Sequence, residues 1–144
     1  MWRVAPVAVL AVLLGGCAPS DIAPSLDAAD RLVAPRHTLT GADGVPAGDL
    51  TATLDLRNGC LVLVTSDGNV NLALWPPSSR IQSVDGALTV LDAGAPAHLG
   101  DPVHVGGGQY GLEQGEFVEG LIGTAVDPAC DVDGFWLVSE VLAD

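Results

Sequence analysis

Thr51 to Pro77 reads TATLDLRNGCLVLVTSDGNVNLALWPP, and this stretch, from Leu50 to Trp75 above all, sets strand directions, a register and an inside face. Asn58-Gly59 and Asp67-Gly68 are dipeptides that accept positive φ at both positions, so each reads as a two-residue type I′ hairpin turn. Two such turns make a three-strand meander. Counting outward from Asn58-Gly59 pairs Leu56 with Leu61 and Leu54 with Leu63. Counting outward from Asp67-Gly68 pairs Leu63 with Leu72 and Leu61 with Leu74. On this register the six leucines share one face, which is the expected core, and a one-residue slip would scatter them. The other face carries Cys60 opposite Trp75, Val62 opposite Ala73 and Val64 opposite Asn71. It is half apolar, so it is expected to be covered as well, as in a closed or strongly coiled barrel.

Working outward, Pro76-Pro77 ends the third strand, because proline cannot donate to a ladder and restricts its predecessor. Arg80–Val84 and Ala87–Asp92 flank Asp85-Gly86 as a second hairpin, with Ile81 facing Val90. Short strands are expected at Ala97–Leu99 and Val103–Val105, on either side of Gly100-Asp101-Pro102. Gly106-Gly107-Gly108 reads as a mobile or bulged loop. Leu112 to Cys130 has no decisive pattern, and Phe117, Val118, Leu121 and Ile122 fit one helical turn or a short strand. Gly134 to Leu142 is a final strand. Many short strands punctuated by glycine turns make the fold all-β, a small antiparallel barrel of OB-like size, with a β-sandwich as the alternative.

The 144 residues suffice for one domain of about 100 residues plus a tether. Five Arg and no Lys stand against eighteen acidic residues, a net charge of −13 that disfavours nucleic acid and anionic surfaces. Residues 1–16 have one Arg, an apolar run from Val4 to Leu14 and a small-residue end, the anatomy of a secretory signal, and the run is too short to span a bilayer. Leu14-Gly15-Gly16-Cys17 resembles the lipobox of bacterial lipoproteins, in which the signal is cut before a lipidated cysteine. The alternative is an ordinary signal with Cys17 incidental. Residues 17–48, rich in Pro, Ala, Asp and Ser, then read as the lipidated Cys17 and a flexible tether, ordered at most as a short helical turn around Leu26–Val33. Residues 49–144 form the β-domain.

With Cys17 taken by lipid, Cys60 and Cys130 remain as a pair in an oxidising compartment, and a disulfide is expected over two separate buried thiols. The pattern NGCLVL, LALWPP, GDPVHVGGG and a Cys followed by FWLVSEV resembles small surface lipoproteins of bacteria, chiefly actinobacteria. The resemblance spans Gly59 to Val141 and rests on turns, a disulfide and tryptophans. It implies a location on the extracytoplasmic face of the cell membrane, and no catalytic residue.

Several constellations have a plainer reading. Gly106-x-Gly108-x-x-Gly111 has the letters of a dinucleotide fingerprint, yet no helix pattern follows it and no cation is near. Asp127, Asp131, Asp133 and Glu140 lack the spacing of an EF-type calcium loop and read as solvated turn carboxylates. His98, His104 and Asp101 make an incomplete zinc set, and the few serines sit in turns without a nucleophile motif. No catalytic residue, metal ligand or cofactor is therefore expected. Trp75 and Trp136 are expected near the disulfide, either as an apolar cap on it or, with Tyr110, as an exposed platform for a sugar or peptide. The functional expectation is a lipid-anchored binding or envelope-accessory module whose partners are the membrane and an envelope protein or glycan. The alternative is a cell-envelope hydrolase or a weak divalent-metal binder.

Overall fold

A computed structural model describes residues 32–40 and 45–143. The signal segment, Cys17 and most of the tether lie outside them. The elements are β1 (Gly48–Arg57), β2 (Cys60–Val64), β3 (Val70–Leu74), β4 (Arg80–Val84), β5 (Ala87–Leu91), β6 (Ala97–His98), β7 (Pro102–Gly111), α1 (Gly115–Ile122) and β8 (Gly134–Leu142). Among the described residues the fold is all-β but for α1 and one 3-10 turn, as the turn spacing implied. Strands β1, β2, β3, β8 and β7 pair in that order and β7 pairs back with β1, closing a ring. One edge departs from the antiparallel expectation, since β3 and β8 run parallel. After β3 the chain builds the separate β4–β5–β6 sheet, returns as β7, and crosses through α1 to enter β8 beside β3. A parallel neighbour requires a long crossover of this kind.

The first hairpin has the expected register, with Leu56 opposite Leu61 and Leu54 opposite Leu63. Asn58 and Gly59 have φ of 51° and 79°, positive at both, as a type I′ turn demands. The second hairpin is shifted by one residue: Val62 faces Leu72 and Leu63 faces Asn71. Only Gly68, at φ 89°, is left-handed there. The Gly68 amide donates to the Thr65 carbonyl and the Thr65 amide to the Asn69 carbonyl. This is a type I turn followed by a left-handed glycine, a three-residue loop in place of a two-residue one.

That extra residue turns β3 over and overturns the six-leucine face. Leu54, Leu61 and Leu63 point into the ring with Ala73 and Trp75. Leu72 and Leu74 point outward with Cys60 and Val62, while Leu56 is only half-buried. Both faces of β2 and β3 are buried all the same. The outer face is covered by Val118 of α1 and by the segment that carries Cys130, with Ile122, Val126 and Val132 packed alongside.

The direction of each strand gives the ring two unlike ends. At the Trp75 end, Val90 and Ala97 of the second sheet, with Ala93, join the interior cluster. The Asp85-Gly86 hairpin of that sheet has Ile81 opposite Val90, as expected. Leu32 to Thr38, assigned to the tether by composition, is an extended strap bound to the ring. Its Val33 amide donates to the Gly59 carbonyl, and its Pro35 carbonyl accepts from the Trp75 amide. Buried His37 fixes the strap further, with Nε2 2.8 Å from the Val138 carbonyl oxygen and Nδ1 accepting from the Leu39 amide at 3.2 Å.

The triple glycine is strand, not loop. β7 runs through it to Gly111, with a bulge between Gly106 and Gly107. Gly107 has φ 139° and a side chain there would collide with the Leu137 carbonyl, while one at Gly108 would collide with Pro46. Gly107 is thus required by close backbone approach and Gly108 by the Pro46 ring packed over it.

Candidate functional site

The Asn71 end of the ring is its open mouth. Leu63 belongs to the interior cluster and stands opposite Asn71, so Asn71 points inward too. Trp136 of β8 is also interior and stands opposite Gln109 of β7, which therefore shares the inward face. Around these lie Leu50 and Thr51 of β1 and the turn Thr65 to Asn69. Together they line a cavity of about 390 Å³.

Asn71 is 98% buried, and its Oδ1 lies 3.4 Å from the Gln109 Nε2 that donates to it. Its Nδ2 donates to no described residue and is not closed off from solvent, so it is open to the mouth. Gly134 makes room for this pair, because a Cβ there would stand 3.2 Å from the Asn71 Oδ1. At the rim the Thr65 hydroxyl and the Asn69 amide hold the Asp67 carboxyl below its ordinary pKa, so the rim keeps a negative charge through the neutral range. Trp136 forms the apolar floor. It is 6% exposed and its indole Nε1 donates to the Gly106 carbonyl at 3.4 Å.

The expected aromatic grouping is not what the fold brings together. Cys60 and Cys130 are disulfide-bonded, with Cα atoms 5.7 Å apart. They belong to the outer cluster, whereas Trp75 and Trp136 both lie inside the ring. The tryptophans therefore neither cap the bridge nor form a shared surface beside it. The one-residue shift at Gly68 is the cause, because it sends Trp75 to the face opposite Cys60. Trp75 is wholly buried, and its indole N–H meets no acceptor among the described residues. Tyr110 faces outward, its ring 5.5 Å from that of Phe117. Gln109, its chain neighbour, is the residue that reaches the mouth.

The polar clusters fall apart in space. The His98 Nδ1 lies 3.0 Å from the Thr89 hydroxyl in the second sheet, and the His104 Nε2 lies 3.4 Å from an Asp49 carboxylate oxygen on β1. Asp127 accepts from the Ala129 amide and Asp133 from the Val70 amide. Among the described residues no three His, Cys, Asp or Glu converge as a metal set.

Asn71, Gln109 and Thr51 were not singled out by the sequence. The available signal was Asn71 itself, a lone amide in the apolar run Val70–Leu74, and only the correct register turns it inward. In comparisons with protein-family models, curated proteins and solved structures, nothing matches this chain.

Proposed function

We propose that this chain is a lipid-anchored, extracytoplasmic binding module whose ligand enters the mouth of the strand ring. The observation that carries the binding reading is Asn71, a buried amide aimed into an open cavity with a hydrogen-bond donor to spare. Mouths of small β-rings are recurrent ligand sites, since the inward positions at an open end are fixed by the sheet yet reachable from solvent. The anchor is supported by residues 1–16 and the Leu14-Gly15-Gly16-Cys17 sequence. The strap at Leu32 leaves about fifteen residues after Cys17, room for a short extended spacer of a few nanometres at most.

Two measurements test the two parts. Cys17→Ser is expected to leave unprocessed precursor and to abolish incorporation of labelled fatty acid, and unchanged labelling would remove the anchor. Backbone amide resonances of the isotope-labelled chain are expected to shift on addition of cell-envelope extract, at Thr51, Thr65 to Asn71 and Gln109. Shifts confined to the opposite end, or none, would remove the mouth as the site.

A further inference from the structure

Resting on the mouth as the binding site, we infer that its ligand is a neutral, hydroxyl-rich molecule, a saccharide. Apart from the Asp67 carboxylate, the polar side chains at the opening are amides and hydroxyls: Thr51, Thr65, Ser66, Asn69, Asn71 and Gln109. An amide presents one acceptor and two donors in a plane, which matches the paired donors and acceptors of neighbouring sugar hydroxyls. Asn71 is held in place by burial and by Gln109, so its free donor is already oriented. The half-buried Leu50 side chain provides apolar contact for the C–H side of a ring, with the buried Trp136 indole behind it in the cavity wall. The volume of about 390 Å³ falls in the range of small-molecule sites, roughly 300–1,000 Å³.

Two other ligand classes fit less well. Among the described residues no cation lines the cavity, the Asp67 carboxylate stands at its rim, and the chain carries a net charge of −13, so phosphates and carboxylates are repelled. An extended peptide is commonly bound by adding to a free strand edge. Here β1, β2, β3, β8 and β7 are each paired on both sides, which leaves no free edge in the ring.

The test uses the mature lipid-bearing chain purified in detergent and labelled with 5-fluorotryptophan, which gives resolvable fluorine signals for Trp75 and Trp136. The probes are neutral oligosaccharides of glucose, mannose, galactose and N-acetylglucosamine, and, separately, uncharged peptides of similar size. At least one saccharide is expected to move the Trp136 signal saturably while Trp75 stays fixed. Gln109→Ala, at an exposed position, removes both a ligand contact and the donor that holds Asn71, and is expected to weaken that saccharide about tenfold, the worth of one or two hydrogen bonds. If peptides move Trp136 and saccharides do not, the saccharide inference fails while the mouth remains a binding site. If neither moves it, both fail. A saccharide that binds with Trp136 unmoved and with full affinity for Gln109→Ala also overturns the inference, because it binds elsewhere.

Discussion

Replacing Trp75 by alanine should cost about 3–5 kcal/mol of folding stability, enough to remove a third or more of the net stability of a typical small domain. Trp75 is wholly buried among Leu54, Leu61 and Val105 of the ring and Val90 and Ala97 of the second sheet. It lies in the cluster where the second sheet meets the ring interior, so the void would open at their junction. Its unpartnered indole N–H points to a refinement. Trp75→Phe removes that buried donor together with part of the volume, so its cost should be well below that of alanine. Denaturant unfolding of the two variants decides this. An alanine variant within about 1 kcal/mol of the parent would show that Trp75 does not join the sheets as described.

Loss of the Cys60–Cys130 bridge should cost roughly 4 kcal/mol, the loop-entropy value for a closure of 70 residues. The effect should also be local. Cys130 lies on the segment between α1 and β8, which covers the outward side chains of Val62, Leu72 and Leu74. Its hydrogen bonds to the ring include one from the Val70 amide to the Asp133 carboxylate and one from the Asp133 amide to the Val70 carbonyl. With the bridge cut, this cover should loosen before the ring opens. Amide exchange on the Cys60→Ala, Cys130→Ala double variant is expected to quicken first along residues 123–133. An unfolding midpoint indifferent to reductant would show that the bridge contributes nothing to the fold.

The length of one loop separates the expected architecture from the observed one. Asp67-Gly68 carries the same letters as a type I′ turn, and Asn58-Gly59 and Asp85-Gly86 adopt that turn. At Asp67 the flanking Thr65 and Asn69 supply hydrogen bonds, Thr65 Oγ1 to the Asp67 carboxylate and Asn69 Nδ2 to its other oxygen. These favour a loop with Asp67 in the right-handed region and only Gly68 left-handed. The competing conformations of such a turn differ by amounts comparable to single hydrogen bonds. Leucines available on both faces made either register apolar, so hydrophobicity could not choose between them.

Local chemistry was sufficient wherever a decision lay within a few residues. The first hairpin, the Ile81–Val90 pairing, the stop at Pro76-Pro77, the last strand and the all-β class follow from turn dipeptides, prolines and alternation in the sequence itself. The cysteine count likewise pointed to the observed bridge. Tertiary structure decided what depends on distant partners. The parallel β3–β8 edge exists because a crossover returns the chain beside β3, and α1 exists because the outer face of β2 and β3 needs cover. The strap of Leu32–Thr38, short and interrupted by Pro35, is held by backbone bonds to Gly59 and Trp75 that no local pattern encodes. The mouth is of the same kind, because Asn71, Gln109 and Trp136 are 27 to 65 residues apart along the chain and meet only when the ring closes.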